Sequence, residues 1–306
     1  MTRLPVCPAP SIQRGLTLIE LMIAMLLGLI VVGGVLGIFV ANSETHRRTD
    51  DLARIQENAR VSVQLIGHSM REAGGNPCGI PPGIPINNTT GNNWWSGESD
   101  FASSFIGYAG GSGFPAHGSV AMASGSDALI TISGNVLVKT VTADNLSSGR
   151  MTVHSTTGLS TGDILFACSM SKGRGVVFKA GTIGSGTVDR TAPFSPPFDV
   201  EMTTLGKINA EGWFVGQNTR GGTSLFRAFI GDGGQPEEIA PDVSAMRITY
   251  LLPSANEYVA ANLVGNGNWP SVIAAYIELD ITRNAGNGTI IQRTVGLTVN
   301  LRNRLN

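Results

Sequence analysis

The chain has 306 residues, which is long enough for one or two domains with a real hydrophobic core. Its formal net charge of −1 and pI near 6.4 argue against a basic surface that attracts nucleic acid. Only 14% of the residues are charged, whereas 40 are glycine, and this pairing favours a loop-rich extracytoplasmic β protein over a cytosolic enzyme.

The first predicted element is an apolar helix over residues 16–41, which contain a single charged residue, Glu20. A helix of this length spans about 39 Å, more than the roughly 30 Å hydrocarbon core of a bilayer. An uncut signal anchor and a cleaved secretory signal are the two ordinary interpretations. Secretory cleavage after Ala41 would need a small residue at position 39, where bulky Phe39 stands, so we expect the segment to remain in the mature protein. The arginines on either side do not decide its orientation.

An amphipathic continuation is predicted over residues 42–75. Apolar residues recur at spacings of three, four or seven, as expected for one face of a helix: Leu52, Ile55, Ala59, Ile66, Met70 and Ala73. Gly74-Gly75, followed by Asn76-Pro77, predicts the end of the helix near Ala73.

The remaining residues, 76–306, are predicted to form a β-rich head. A Gly-, Pro-, Ser- and Asn-rich stretch at about 80–125 predicts a loop-rich insertion. Beyond it, short apolar runs separated by turn residues predict strands at 127–133, 162–169, 175–180, 212–217, 223–230, 245–252, 272–282 and 294–302. Because no helices intervene, we expect an antiparallel sheet covered by the amphipathic half of the helix.

Three cysteines are unevenly placed along the chain. Cys7 precedes the apolar segment, which leaves Cys78 and Cys168 as a pair on its far side. A bridge between them suits an oxidising compartment, and two buried free thiols are the alternative.

No pattern of residues indicates catalysis. The four histidines (His46, His68, His117 and His154) lack zinc-ligand spacing, and no complete nucleotide-binding glycine motif occurs. Glu278 and Asp280 share one face of a predicted strand, which we expect to be a surface feature. We therefore predict no enzymatic activity, no cofactor, no metal and no small-molecule substrate.

The stretch RGLTLIELMIAMLLGLIVVGGVLGIF at 14–39 resembles the class III signal of type IV prepilins. The resemblance implies that residues 1–15 are a cytoplasmic leader, that a prepilin peptidase cuts between Gly15 and Leu16, and that the new amine of Leu16 is methylated. It also implies that Glu20, the fifth mature residue, docks the subunit. In this family the first mature residue is usually Phe, and Leu16 is a mild departure.

Further segments are similar to minor pilins of the PilW type: residues 48–79, 162–169, 212–227, 242–252 and 299–305. This resemblance implies a pilin-like α+β fold, in which a long N-terminal helix packs on an antiparallel sheet. It places Cys78 and Cys168 at the family's two cysteine positions. It also implies an inner-membrane protein with one span, a periplasmic head and a final location in the pilus, either at the tip or in the filament.

The implied role is to prime pilus assembly in the tip complex. The expected partners are other minor pilins, the major pilin, the inner-membrane assembly platform and the prepilin peptidase. A minor pseudopilin of type II secretion is the closest alternative, and a membrane-anchored periplasmic adhesin or enzyme is a more distant one.

Overall fold

The computed structural model describes residues 17–75, 86–88, 104–115, 118–145, 149–169, 174–190, 203–229, 235–253, 255–265, 267–284 and 289–301. The chain divides into two compact units, Met1–Leu52 and Ala53–Asn306, and helix α1, Leu18–Glu72, contributes residues to both. The layout is α+β and pilin-like, with a long N-terminal helix that begins apolar and a head rich in antiparallel sheet. The predicted fold class is confirmed.

Helix α1 is continuous over 55 residues because no proline interrupts the sequence between Pro10 and Pro77. In the second unit one face is buried, through Ile55, Ala59, Ser62, Ile66, Gly67, Ser69 and Met70. The helix ends where Gly74 adopts a φ of 79°, a left-handed conformation that glycine tolerates. Its end is fixed by the sheet, since the Gly74 amide donates to the Ile132 carbonyl at 2.9 Å.

A first sheet contains ten strands. They are β1 (Ile86–Asn88), β2 (Phe105–Tyr108), β3 (Ala128–Asn145), β4 (Arg150–Val153), β5 (Ile164–Ser169), β6 (Arg174–Gly184), β7 (Thr187–Arg190), β8 (Thr203–Gln217), β9 (Thr223–Phe229) and β10 (Glu237–Pro241). Their pairings are antiparallel except for the short parallel pair β1–β6.

Six of these strands close into a barrel. The pairings β3–β4, β4–β7, β7–β6, β6–β5, β5–β8 and β8–β3 form a complete ring. One buried cluster draws residues from all six strands: Val141, Met151, Val153, Leu165, Ala167, Val176, Phe178, Ala180, Val188 and Leu205. Register shifts between Ser133 and Lys139 bend β3 from the open part of the sheet into the ring, as bulges do.

A second sheet has the order β12-β11-β13-β14. Its strands are β11 (Val243–Leu251), β12 (Val259–Ala260), β13 (Ala274–Asn284) and β14 (Ile290–Asn300), with the one-turn helix α2 (Ala261–Val264) after β12. The predicted alternation in the last strand is confirmed: Val299 and Leu301 are buried and Val295 and Leu297 are half-buried, whereas Thr298 and Asn300 are exposed.

The core of the head lies between α1 and both sheets, and two aspartates tie the sheets together. Asp127, just before β3, accepts hydrogen bonds from the amides of Gly110 (2.7 Å) and Ile248 (2.8 Å), the latter on β11. Asp242 joins β10 to β11 with a φ of 66°, a conformation unusual outside glycine. Arg283 holds it there through a 2.6 Å ion pair.

The structure differs from the sequence-based expectation in the loop-rich insertion. Residues Phe105–Tyr108, predicted to be irregular, form β2 at the edge of the first sheet, and Phe105 is fully buried. Position 107 of this strand requires glycine, because a Cβ there would overlap the buried ring of Tyr250. A glycine that reads as a turn signal thus serves close packing between the two sheets.

Candidate processing and docking site

The first described residues form the N-terminal cap of α1. Thr17 accepts a hydrogen bond from the amide of Glu20 at 3.3 Å, and its hydroxyl lies 3.5 Å from the Glu20 carboxylate. The Thr17 side chain thus caps the helix and satisfies one of the amides that the first helical turn leaves unpaired. Gly15 and Leu16, the predicted cleavage and methylation residues, lie outside the described residues.

The capping role of Thr17 was not predicted, although a signal for it was present in the sequence. Thr17-x-x-Glu20 directly before an apolar run is the sequence pattern of a capping box. The role predicted for Glu20 rests on its charge and does not include a contact with Thr17. In the structure its carboxylate is exposed, and it also lies in the first turn of a helix, where the helix dipole favours an acid.

The apolar segment after the cap is exposed throughout. Every large hydrophobic side chain from Leu18 to Val40 is at least 47% accessible. The segment is long and apolar enough to cross a membrane by length and composition. Exposed apolar surface of this extent indicates contact with lipid or with neighbouring helices.

The helix changes character directly beyond this segment. Glu44 and Arg48 form an ion pair one turn apart at 2.5 Å. The hydroxyls of Thr45 and Thr49 donate to the carbonyls of Ala41 and Thr45, both at 2.9 Å. Polar side chains thus start at the end of the predicted span.

Cys168 is fully buried on β5, opposite Gly175 of β6 and Thr204 of β8. Its predicted partner, Cys78, lies outside the described residues. The bridge between them stays a prediction.

Glu278 and Asp280 face Arg247 across β13 and β11. Arg247 donates to both oxygens of Asp280, at 2.7 and 3.1 Å, and to Glu278 at 3.4 Å. The Arg247 hydrogen bonds hold the pKa of Asp280 below its usual range despite partial burial. This geometry stabilises the sheet, and it does not poise a carboxylate for proton transfer.

The other patterns considered for chemistry also have structural roles. The glycine-rich residues 184–187 (GSGT), an incomplete nucleotide-binding glycine motif, form the tight turn between β6 and β7, in which Gly186 has a φ of 72°. In the described part of the chain, no three His, Cys, Asp or Glu side chains come close enough to hold a metal ion.

A family model described as the prokaryotic N-terminal methylation motif matches residues 10–36, which are 27 of the 306 residues. No curated protein and no solved structure matches the chain significantly. The matched range contains Gly15, Leu16 and Glu20 and none of the head. Together with the apolar start of α1, the motif supports a type IV pilin-like structural protein. Such a signal implies processing by a prepilin peptidase and assembly with pilus components, and it fits single-pass anchoring in the inner membrane.

Proposed function

We propose that this chain is a minor pilin that primes the assembly of a type IV pilus and takes part in its tip complex. The observation that carries the proposal is an acid, Glu20, in the first turn of an exposed apolar helix, inside the matched methylation motif. The assignment to a minor subunit rests on the segments that resemble PilW-type pilins. Its head stays in the periplasm until the subunit enters the pilus.

In this proposal, cleavage after Gly15 gives Leu16 a free amine, which remains cationic after methylation. Placing a carboxylate such as Glu20 in hydrocarbon costs roughly 2.5–3.5 kcal/mol on insertion scales. Pairing with the amine of a neighbouring subunit offsets this cost only when the two helices are in register. The buried charge therefore tests the alignment of each incoming subunit, while the apolar surface around it supplies packing without specificity.

The hydroxyl of Thr17 gives the Glu20 carboxylate a hydrogen-bond partner within its own chain before docking. Thr17 lies next to the proposed N-terminus, and its hydroxyl contacts the Glu20 carboxylate. A new subunit thus presents a carboxylate that is already partly solvated by its own chain. We also propose that Cys78 and Cys168 form a disulfide, which would tie the start of the head to β5 and close a loop of about 90 residues, worth roughly 4–5 kcal/mol.

The first test is the N-terminal sequence of the protein extracted from membranes. We expect it to begin at methylated Leu16, and a sequence beginning at Met1 would contradict the proposal and favour an uncut anchor. The second test is Glu20→Ala, which should leave cleavage intact and reduce incorporation into pili at least tenfold, with Glu20→Asp as the matched control. Normal piliation in Glu20→Ala would rule out the docking role.

The closest alternative is a minor pseudopilin of type II secretion, because the motif and the fold are shared. Deleting the gene separates the two functions. Loss of twitching motility with normal exoprotein secretion is expected here, and the reverse result would identify a pseudopilin.

A further inference from the structure

Strand β14 forms one edge of the second sheet. Within the described residues it pairs with β13 alone, over 11 residues from Ile290 to Asn300. The outer edge of such a strand presents N–H and C=O groups that can template another strand. Most proteins shorten, cover or charge an edge of this length.

The core-facing row of β14 is incompletely covered. Ile291, Val295 and Leu297 are half-buried, although they pack against the main core of the head. Arg293 belongs to the same row, because it pairs in register with fully buried Ile281 of β13. The Arg293 side chain is nevertheless exposed. A charge therefore stands in an otherwise apolar row at the open edge of the sheet.

One face of α1 lines the same edge. A Cβ built on Gly67 would lie 2.8 Å from Leu297 of β14 and 3.2 Å from the Arg71 guanidinium. Arg60, Val63 and Arg71 share this face of the helix with Gly67, since they lie four or seven residues from it. The helix face and the strand edge form one seam, which we define as Arg60, Val63, Gly67, Arg71, Arg293, Val295 and Leu297.

The seam carries positive charge without acidic partners in the described part of the chain. Arg60, Arg71 and Arg293 make no ion pair there. By contrast, the other strand arginines whose side chains are described each pair with an acid: Arg150, Arg190, Arg227, Arg247 and Arg283. An inward-facing charge on an edge strand repels indiscriminate pairing. It admits a strand that brings the opposite charge, which is how specific interfaces select a partner.

We propose that this seam docks an extended, acid-bearing segment of a different pilin-type subunit, which adds to the second sheet as a strand beside β14. The proposal rests on the proposed function, because that function places the chain among other pilins. The apolar side chains of the incoming strand cover Val295 and Leu297. Its carboxylates pair with the three arginines, and this pairing excludes strands without acids.

The test is photo-cross-linking in piliated cells, using the full-length chain with Gln292→p-benzoylphenylalanine on the exposed edge. We expect a cross-link whose peptide, identified by mass spectrometry, is an acidic segment of another subunit with a prepilin signal. Arg71→Glu combined with Arg293→Glu should lower the yield at least tenfold. Arg71→Lys with Arg293→Lys should keep it within about threefold, because the charges remain.

A matched control reverses two arginines of α1 outside the seam, Arg47→Glu with Arg54→Glu, and should leave the yield unchanged. An undiminished cross-link in the seam reversal would overturn the proposal. So would a cross-linked peptide from a second copy, from this chain itself or from a protein without a prepilin signal. The two proposals fail separately: a mature N-terminus at Leu16 without any cross-link contradicts the seam alone, whereas an N-terminus at Met1 contradicts the pilin function.

Discussion

Helix α1 has two halves with one backbone conformation and opposite surroundings. Between Leu18 and Val40 every large apolar side chain is exposed, whereas Ile55, Ile66 and Met70 are at most 1% accessible in the core of the head. Both halves are helical, but only the second half receives packing energy from its own chain. The first half must obtain its packing from lipid or from other helices.

The glycines show the same contrast. A Cβ added to Gly28, Gly33, Gly34 or Gly37 would meet nothing within 4 Å, whereas one added to Gly67 would meet Leu297 at 2.8 Å. Gly67 is therefore explained by packing inside the head. No contact within the described chain requires the four glycines of the first half. Small residues permit close approach of another helix, which agrees with a segment that packs outside its own chain.

The largest expected difference between the halves comes from removing the same side chain in each. Ile66→Ala should cost roughly 2–5 kcal/mol of head stability, because a fully buried side chain leaves a cavity. Ile30→Ala, at a position that is 63% accessible, should change the free energy of unfolding of the head by less than about 0.5 kcal/mol. Denaturant unfolding of the detergent-solubilised protein, followed by tryptophan fluorescence, measures both. Equal destabilisation by the two variants would contradict the conclusion that only the second half of α1 packs in the core of the head.

A smaller contrast lies within the buried face of the second half, where two serines differ in their partners. Ser69 accepts a hydrogen bond from the Trp213 indole at 3.1 Å and lies 2.5 Å from the Thr131 hydroxyl. The hydroxyl of Ser62 is also buried and has no hydrogen-bond partner among the described residues. A buried polar group without a partner costs free energy, and one with partners stabilises the fold.

Ser69→Ala should therefore lower the free energy of unfolding by about 0.5–1.5 kcal/mol. It removes a hydroxyl partner of Thr131 and one of the two acceptors of the Trp213 indole, which keeps its hydrogen bond to Glu211 at 3.1 Å. Ser62→Ala should leave it unchanged or raise it by up to about 1 kcal/mol. The two variants make the same chemical change on the same helix, so each is the control for the other. If both lower the stability equally, the Ser69 contacts do not anchor the helix to the sheet.

The parts of the fold that sequence predicted are those set by local pattern. The helix end follows from Gly74-Gly75, the buried stripe from the spacing of Ile55, Ala59, Ile66 and Met70, and the last strand from its alternation. Each of these signals lies within a few turns or one strand. Glu20, which we propose as the docking residue, was likewise selected from a local motif, residues 14–39.

The closed barrel could not be predicted in this way. It depends on pairing β3 with β8, where Ser133 lies opposite Asn209 across more than 70 residues of sequence. No periodicity in either strand specifies that pairing. The register shifts that bend β3 begin at Gly134 and Asn135, residues that in the sequence indicate the end of a strand rather than its continuation. The same limit applies to Tyr250, whose contact with Gly107 places β2 in the sheet only once both strands are positioned. Non-local contacts of this kind are decided by the whole core.

The smallest expected effect is at the start of the first half, where Thr17 caps the helix. Thr17→Ala removes the acceptor for the Glu20 amide and should destabilise the first turn by about 1 kcal/mol. This loss corresponds to amide exchange that is roughly fivefold faster at Leu18 to Leu21. Thr17→Ser keeps the hydroxyl and should behave as the parent. Head unfolding should not change in either variant, since the hydrogen bonds of the cap join residues of the first unit. Faster exchange in the alanine variant together with normal piliation would assign Thr17 to the helix end alone, whereas slower incorporation would show that docking needs the carboxylate held in place.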